Sequence, residues 1–448
     1  MKRVLSKVCY LLFGLAIKLR LYYLIVWFYS NIIKERMADG RMVCPSNTSK
    51  NGDIIILALT SDHFRTDLDV LGETGKFRIL QIMFPWQNRL VNYFLRCRME
   101  RNIYVKYPSS HPVFKRREKL LRFLRKFLPL LYKRIGINCV IGSSVELTVD
   151  LDWGEVSREI GVPYIVIHRE CLLSRELMKT KLKERWKNIS FNSSHIIVHN
   201  EHFRQFVIEM GCVKPELISS LGCIRMDKFL NQIRKFRKDT NKKKKILLIP
   251  FYSKEGRYYK ELYLLSCNVI LAFVQFALDN HSIEVIIKPK INEHSLVIKI
   301  MNGIQETIGK TINEIHNLHI ISDINIQELL LDVNIVCGLR STVLLEAAIA
   351  GKPVIIPYFK EIQHPKYVEY LSFIEAFALF DIAENANELK SIILKRLDDN
   401  IISKEIMAKR KMLFEKYVSS TEGDATEKYV TLIKEIVNKQ NRNDLVNR

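Results

Sequence analysis

A strand, a loop, a helix and a second strand follow one another in residues 334–356, and this order constrains the fold more than any other stretch. The apolar run Asn334–Cys337 is typical of a buried strand, and Gly351 followed by Pro353 is typical of the end of a helix. Strand, helix and strand in this order form a parallel crossover unit, which places the loop at Gly338 at the carboxyl ends of the strands. Open α/β sheets bind ligands at that edge.

This loop and the first turn of its helix carry residues suited to a nucleotide. Ser341 or Thr342 caps the helix, whose free N–H groups favour an anion, and Arg340 adds a full charge with bidentate geometry. Glu346 lies one turn further in, about 6 Å along the axis, where its carboxylate can accept hydrogen bonds from a ribose diol. The pattern predicts a phosphate site beside a ribose site. The alternative is an ordinary crossover helix with a solvated Glu346.

The string GLRSTVLLEAAIAGKPVIIP at 338–357 resembles the nucleotide-sugar signature in the C-terminal domain of GT-B glycosyltransferases, particularly bacterial capsule and surface-carbohydrate enzymes. It is more distantly similar to peptidoglycan-precursor transferases and UDP-sugar 2-epimerases. The resemblance implies that the loop and helix N-terminus hold the donor phosphates and that Glu346 holds the ribose. Retaining enzymes of the commonest GT-B family carry a second glutamate where this chain has Gly338, so that family's mechanism does not carry over.

The rest of the chain fits two domains of this kind. With 448 residues, 48% of them hydrophobic, the chain can form two cores. We therefore predict an α/β, GT-B-like fold with two Rossmann-like parallel-sheet domains facing a cleft. Its predicted parts are an apolar helical segment at 1–45, an acceptor domain at 50–234, a charged linker at 235–245, a nucleotide-sugar domain at 246–400 and a helical tail at 401–448. In a GT-B protein this tail would cross back onto the first domain.

Alternating strands and helices support both domains. Strands are expected at 53–60, 77–83, 138–141, 162–168, 194–199, 217–221, 246–250, 283–287, 318–321, 334–337 and 354–356. Helices are expected at 65–71, 87–96, 201–210, 263–278, 387–397 and 402–438, and in a segment that Asp323 caps and that runs through Leu331. The string Gly222–Asp227 is similar to the Gly-x-Pro-Arg-x-Asp element that ends the N-terminal domain of surface-carbohydrate enzymes, with Ile224 in place of the usual proline.

Two segments raise the question of a membrane. The apolar runs Val8–Ile17 and Leu21–Ile33 are interrupted by Lys18 and Arg20, so neither reaches the ~20 residues that span a bilayer. An interfacial helix with aromatic side chains at headgroup level, a buried helical hairpin and a tilted signal anchor all remain open. The basic amphipathic segment Lys115–Arg134 is either a core helix with a solvated basic face or a membrane-surface patch.

The charge and the cysteines limit the partners and the compartment. Lys plus Arg exceed Asp plus Glu by 70 − 48 = 22, which favours an anionic partner. No nucleic-acid motif is visible, so we expect a membrane surface or a phosphorylated substrate and no nucleic acid. The nine cysteines are scattered without a C-x-x-C pair, which favours a reduced compartment. We expect a cytoplasmic protein, peripheral on the inner face of a bacterial cell membrane.

Glycosyl transfer needs a clamp for the departing nucleotide and a base for the acceptor hydroxyl. The expected clamp lies at strand carboxyl ends, where positive charge stabilises the leaving phosphate without a metal. Its residues are Ser253, Lys288, Arg340, Ser341 and Thr342, with Glu346 on the ribose. His63 is the first candidate for the base and Asp62 the second, since their loop follows the first clear strand. His168 and Glu170 follow another strand and are expected on the acceptor side.

We expect neither a metal nor a cofactor beyond the nucleotide-sugar donor. His195 and His199 could share a strand face, but His202 lies beyond the strand, and no tetrahedral set of ligands is complete.

The function that these residues predict is transfer of a sugar from a nucleotide-sugar donor to a capsule-type or lipopolysaccharide-type glycan acceptor. A polyol-phosphate transferase, a nucleotide-sugar epimerase and an inactive GT-B-like binding scaffold are the alternatives. The nucleotide (UDP, GDP, dTDP or CMP), the acceptor and the stereochemical outcome stay open.

Overall fold

The computed structural model describes residues 13–37, 41–45, 54–96, 104, 107–187, 191–235, 243–251 and 260–446. The chain divides into two compact units, and each contains one β-sheet covered by helices. The first unit comprises Met1–Leu172, Lys181–Asp227 and Glu422–Arg448, and the second comprises Leu173–Thr180 and Lys228–Thr421. Residues 236–242 of the predicted linker lie outside the described residues. The expected α/β fold with two parallel-sheet domains is confirmed.

The sheet of the first unit has eight strands in the order β2-β1-β4-β3-β5-β6-β7-β8. The strands are β1 Lys34–Arg36, β2 Met42–Val43, β3 Ile54–Ala58, β4 Phe77–Gln81, β5 Cys139–Gly142, β6 Tyr164–Ile167, β7 His195–Val198 and β8 Ile218–Ser220. Strand β1 pairs antiparallel with β2 and β4, and all other pairs are parallel. From β3 the chain proceeds to β4 on one side and later to β5 on the other. Such a reversal of strand order is where open α/β sheets form a ligand crevice.

Helices that connect these strands cover the sheet. They are α1 Tyr22–Ile32, α2 Arg65–Glu73, α3 Phe84–Leu95, α4 Pro112–Ile135, α5 Thr148–Glu159, α6 Glu176–Trp186 and α7 Glu201–Glu209. Helix α3 begins three residues before the predicted start at 87, because Pro85 fits in the first turn, where its missing N–H costs nothing. Helix α5 begins at Thr148, and residues 143–147 form a loop after β5.

The apolar N-terminal segment packs on α4 with one side of its helix. Residues 13–18 are also helical, and a left-handed Arg20 (φ 57°) separates them from α1. Ile25, Val26 and Tyr29 are buried, and the Tyr29 ring packs edge-on against Phe127 of α4 at 5.1 Å between ring centroids. The opposite side of α1 is exposed. Helix α4 buries its apolar side and exposes basic side chains, as the core-helix interpretation of this segment requires.

The sheet of the second unit is entirely parallel, in the order β11-β10-β9-β12-β13-β14. Its strands are β9 Lys245–Leu248, β10 Glu284–Ile287, β11 Leu318–Ile320, β12 Ile335–Cys337, β13 Val354–Pro357 and β14 Asp381–Ala383. The following helices are α8 Asp227–Lys235, α9 Lys260–Asp279, α10 His294–Ile308, α11 Ile326–Asp332, α12 Val343–Ile349, α13 Ala386–Asp398 and α14 Lys404–Tyr417. The short edge strand β14 was not among the predicted strands.

Two predicted helices differ from the observed ones. Helix α11 is capped by Asn325 rather than by Asp323, because the Asn325 side chain accepts hydrogen bonds from the N–H groups of Gln327 and Glu328. The long helix expected at 402–438 is two helices, α14 and α15 Ala425–Val446, with a left-handed Gly423 (φ 71°) between them. Helix α14 belongs to the second unit and α15 to the first.

One helix in the described part of the chain, α9, is long and apolar enough to cross a membrane by length and composition. Its side chains Leu265, Val269 and Phe273 are buried, and 56% of its most apolar stretch lies inside the protein. That burial is typical of a core helix, since a membrane span would expose its apolar side chains to lipid.

Candidate functional site

The second unit reverses its strand order between β9 and β12. The chain runs from β9 through β10 to β11 on one side, and returns through β12, β13 and β14 on the other. The loops after β9, β10 and β12 therefore lie at adjacent carboxyl ends, where α/β sheets bind ligands. Lys288 follows β10, and residues 338–342 follow β12. Ser253, predicted in the loop after β9, lies outside the described residues.

The loop after β12 approaches the neighbouring strand end closely at Gly338. A Cβ atom at this position would lie 3.2 Å from the Ile249 carbonyl oxygen and 3.1 Å from a methyl of Leu344. Glycine therefore lets the loop turn directly over the end of the sheet. The Ser341 hydroxyl accepts a hydrogen bond from Val343 N–H at 3.2 Å, and the Thr342 side chain makes no such capping bond. Of the two predicted caps, Ser341 supplies the side-chain oxygen.

Glu346 lies one turn into α12 and is buried, with only 4% of its surface exposed. Its Oε2 accepts a hydrogen bond of 2.8 Å from the side-chain amide of Gln327 at the start of α11. The alternative of a solvated Glu346 is therefore wrong. Burying a carboxylate is costly unless hydrogen bonds replace those it makes with water. The Gln327 amide supplies one such hydrogen bond to Glu346. Arg340, Ser341 and Thr342 in front of it are partly exposed.

Lys288 is the second cation at this edge of the sheet. Its ammonium group donates a hydrogen bond of 3.0 Å to the Ser322 carbonyl oxygen in the loop after β11. Partial burial lowers its pKa, and the nearby Asp323 carboxylate opposes that shift. The alternative of a freely solvated lysine is thereby excluded, because the hydrogen bond to Ser322 holds the side chain against the loop after β11.

The first unit contains a cavity of about 400 Å³ at its own reversal of strand order. The residues that line it follow three neighbouring parallel strands: β3, β5 and β6. They are His63, Ser143, Ser144, Glu146, Leu147, Arg169 and Glu170. The structure thus brings together His63 and Glu170, two residues that the sequence placed on the acceptor side.

His63 lies in a short 3₁₀ turn, Ser61–His63, directly after β3. Its ring stacks on Phe84, with 6.0 Å between ring centroids, and its carbonyl oxygen accepts a hydrogen bond from Arg169. Asp62 instead accepts a hydrogen bond of 3.0 Å from Arg65 and does not line the cavity. The geometry favours His63 over Asp62 as the residue that meets a ligand there.

A buried carboxylate that was not among the predicted site residues holds Arg169 in place. Asp67, in the first turn of α2, is completely buried and pairs with Arg169 Nε at 3.0 Å and with Arg225 Nη1 at 3.7 Å. Burial raises the pKa of Asp67, and the two guanidinium groups oppose the shift. Asp67 thus holds two arginines at this edge of the sheet. Arg225 lies in the string that resembles the Gly-x-Pro-Arg-x-Asp element, and this resemblance is the feature of the sequence that could have indicated Arg225 as a site residue.

Thr60, at the start of the His63 loop, adopts a left-handed conformation with φ 45°, which is uncommon for a residue with a branched side chain. Gln87 Oε1 accepts a hydrogen bond from Thr60 N–H, and Asp150 Oδ1 accepts one from the Thr60 hydroxyl. Gln87 also donates to Asp150 at 3.1 Å. This buried Thr60, Gln87 and Asp150 network holds the backbone from which the loop turns.

Asp150 makes the stability of the first unit pH-dependent. Burial raises its pKa to about 7, from 3.8 in an exposed chain. The folded unit therefore binds more protons than the unfolded chain, so the stability contributed by Asp150 is complete below pH 3.8 and is lost as the pH rises towards 7. Between pH 3.8 and 7 the free energy of unfolding of the parent protein should therefore fall by up to about 4 kcal/mol more than that of Asp150→Asn. Urea denaturation at a series of pH values measures this difference.

The exposed Glu73→Gln in the same unit serves as the control for this prediction. Its pH profile should follow that of the parent protein. An Asp150→Asn profile with the same slope as the parent would contradict the assigned role.

His168 is placed differently from the other predicted acceptor-side residue. Its ring is buried and stacks on Phe203 at 5.1 Å between centroids, and its Nδ1 accepts a hydrogen bond from Val145 N–H. Burial lowers its pKa to about 4, so the ring is neutral at pH 7. Glu170 is exposed and lines the cavity. His168 therefore supports the loop after β5 from within the core, and Glu170 and Arg169 face the cavity.

The three histidines considered as metal ligands have separate surroundings. His195 contacts the Ser219 hydroxyl at 2.9 Å, and His199 is buried. Among the described residues, no three His, Cys, Asp or Glu side chains form a group that could hold a metal ion.

Several solved structures are similar to this chain in fold. No family model and no curated protein matches the chain. A putative UDP-N-acetylglucosamine 2-epimerase from Listeria monocytogenes is similar in structure, with a TM-score of 0.50 and 11% identity over 87% of this chain and 98% of that protein. UDP-GlcNAc 2-epimerase from Neisseria meningitidis, bound to UDP-GlcNAc, gives a TM-score of 0.46 and 14% identity over 85% and 100%.

A glycosyltransferase from Rickettsia africae gives a TM-score of 0.44 and 15% identity, over 86% of this chain and 99% of that one. At 11% identity, the similarity to the Listeria protein shows the fold and leaves the reaction open. The chain has an α/β fold of the GT-B type, with two parallel-sheet domains.

Proposed function

We propose that this protein is a metal-independent glycosyltransferase that moves a sugar from a nucleotide-sugar donor to a surface-glycan or lipid-linked glycan acceptor. It needs no cofactor besides that donor. The observation that carries the proposal is the buried carboxylate of Glu346, oriented by Gln327, one turn behind a loop that bears Arg340. This combination lies at the reversal of strand order in a parallel sheet. The ribose hydroxyls need a hydrogen-bond acceptor and the phosphates need positive charge, and this arrangement supplies both at the edge where such sheets bind ligands.

The donor is held by the second unit. Arg340 forms charge-assisted hydrogen bonds with the phosphates, and the Ser341 and Thr342 hydroxyls add donors. Lys288 contributes a second positive charge from the neighbouring strand end. The ribose hydroxyls donate to Glu346, whose burial makes these hydrogen bonds strong. As the bond between the sugar and the phosphate breaks, the negative charge that develops on the nucleotide is stabilised by groups that are already in place.

The acceptor is held by the cavity of the first unit. His63 takes the proton from the acceptor hydroxyl while that oxygen attacks the anomeric carbon of the donor sugar. Arg169 orders the His63 backbone through its hydrogen bond to the carbonyl oxygen. Glu170 accepts hydrogen bonds from further hydroxyl groups of the glycan. Asp62 is the second candidate for the base.

The proposal is tested first by a thermal-shift screen of the purified protein against UDP-, GDP-, dTDP- and CMP-sugars. We expect one nucleotide class to raise the melting temperature, because a ligand that binds only the folded state stabilises it by about 2.7 kcal/mol at 100 times its dissociation constant. Absence of a shift with all four classes would contradict a nucleotide-sugar site.

A nucleotide-sugar 2-epimerase is the second candidate, since it would use the same donor-holding residues without an acceptor. The two reactions differ in their products, which chromatography of the nucleotide-sugar distinguishes. Conversion of UDP-GlcNAc to an isomer, without release of UDP and without an added acceptor, would identify an epimerase. Release of free nucleotide only with a glycan acceptor supports the transferase. A polyol-phosphate transferase would release a nucleoside monophosphate.

A further inference from the structure

Helix α1 exposes a stripe of large apolar side chains. Tyr23, Leu24 and Trp27, which we call the α1 stripe, are 79%, 51% and 54% exposed. Their spacing places them on one face of the helix, opposite the buried Ile25 and Tyr29. Exposed apolar side chains grouped in this way mark an interaction surface.

A cavity of about 720 Å³ opens beside the stripe, and Trp27 forms part of its wall. Ser30, Asn31, Lys133 and Arg134 also line it. Arg134 Nε donates to the Ser30 hydroxyl at 3.1 Å, which brings the end of α4 against α1. In the part of the chain that the structure describes, no carboxylate pairs with Lys133 or Arg134. Two cations, a hydroxyl and an amide thus surround a space beside an exposed indole.

Arg78 also lines this cavity, but it adds no net charge. Its Nε and Nη2 each donate a hydrogen bond of 2.9 Å to a carboxylate oxygen of Glu35. The positive charge of the cavity therefore comes from Lys133 and Arg134. Such a pair is suited to a phosphate, and the neighbouring apolar stripe is suited to hydrocarbon.

Basic residues predominate around the stripe. Residues 1–34 contain no Asp or Glu, and Lys18 and Arg20 are exposed just before α1. Helix α4 exposes further basic side chains and contains a single acidic residue, Glu118. A second copy of this chain would bring equal positive charges together, which disfavours self-association through this face. An anionic lipid surface matches both the charge and the aromatic side chains.

We propose that the α1 stripe and the cavity beside Trp27 form a docking site for membranes that contain anionic phospholipids. The stripe inserts at headgroup level, and a lipid phosphate binds Lys133 and Arg134. This site contributes nothing to donor binding, so its test is independent of the proposed transferase activity.

The test is cosedimentation of the full chain with vesicles of phosphatidylcholine alone or mixed with phosphatidylglycerol. We expect binding to the mixed vesicles only. The double variant Lys133→Ala, Arg134→Ala should bind about 30-fold more weakly, since each basic residue near an anionic surface contributes about a factor of five. Trp27→Ser should reduce binding by at least about tenfold through the lost apolar burial. Tryptophan emission of the parent should shift to shorter wavelength with these vesicles, and that of Trp27→Phe should not.

Two control variants in the second unit match these changes. The pair Lys299→Ala, Lys310→Ala removes two exposed lysines, and Ile401→Ser removes a 77% exposed apolar side chain. Both should bind like the parent. Equal losses in the lysine controls would overturn the proposal in favour of unspecific charge. Absence of vesicle binding would overturn it as well, as would a dimer in solution that Trp27→Ser dissociates.

Discussion

Replacing His63 with alanine is expected to lower turnover by about 10²- to 10⁴-fold, because that is the usual contribution of a positioned general base. Donor affinity should stay the same, since His63 lies in the first unit and the donor residues in the second. Turnover is measured as release of nucleotide in the presence of acceptor, and affinity as the thermal shift by the nucleotide identified in the screen.

Asp62→Asn is the matched variant, because Asp62 is next to His63 but pairs with Arg65 outside the cavity. It should retain most of the activity. A large loss in Asp62→Asn together with near-parent turnover in His63→Ala would assign the base to Asp62. His63→Gln keeps a polar side chain and should be as inactive as the alanine variant, which separates proton transfer from packing on Phe84.

Replacing Arg340 with alanine is expected to weaken nucleotide binding by about 10- to 100-fold, because a charge-assisted hydrogen bond to phosphate contributes about 1.5–3 kcal/mol. Glu346→Gln should weaken binding by about tenfold. It keeps the size of the side chain and an oxygen that can accept from Gln327, and it loses the negative charge that receives the ribose hydroxyls. Both effects are measured by calorimetric titration with the nucleotide identified in the screen.

Glu306→Gln is the control for these two variants, because Glu306 is exposed on α10 in the same unit. It should bind like the parent. Equal affinity of the parent, Arg340→Ala and Glu346→Gln would place the nucleotide elsewhere on the protein. Titration with inorganic pyrophosphate distinguishes the contributions of the ribose and the phosphates to the binding affinity. Pyrophosphate has no ribose, so its affinity should fall in Arg340→Ala and stay unchanged in Glu346→Gln.

Much of the sheet architecture could be predicted because buried parallel strands leave a local pattern. Runs such as residues 54–58 and 335–337 are continuously apolar, and small or polar residues interrupt them at the strand ends. The edge strand β14 lacks this pattern, since Asp381 and Ile382 are only partly buried. The cap of α11 was misplaced because Asp323 and Asn325 are equally good caps, and only the tertiary path of the chain selects between them.

Arg340, Ser341, Thr342 and Glu346 could be predicted as a group because they lie on one loop and the first turn of one helix, whereas Lys288 follows a different strand. The support of the acceptor cavity could not, since it depends on contacts between distant parts of the sequence. Asp67 meets Arg169 and Arg225 only in the folded unit, and Asp150 reaches Thr60 across 90 positions. His168 and Glu170 have neighbouring positions in the sequence, and only the path of the chain after β6 buries one and exposes the other.

The position of α15 has a consequence for synthesis on the ribosome. Tyr429, Ile433 and Val437 of this helix are part of the same apolar core as β3 and α2. The first unit therefore includes residues that are translated after the whole of the second unit. A nascent chain that has emerged only through residue 421 carries a first sheet with one face incompletely covered, and this face is closed only when α15 has left the ribosome as well.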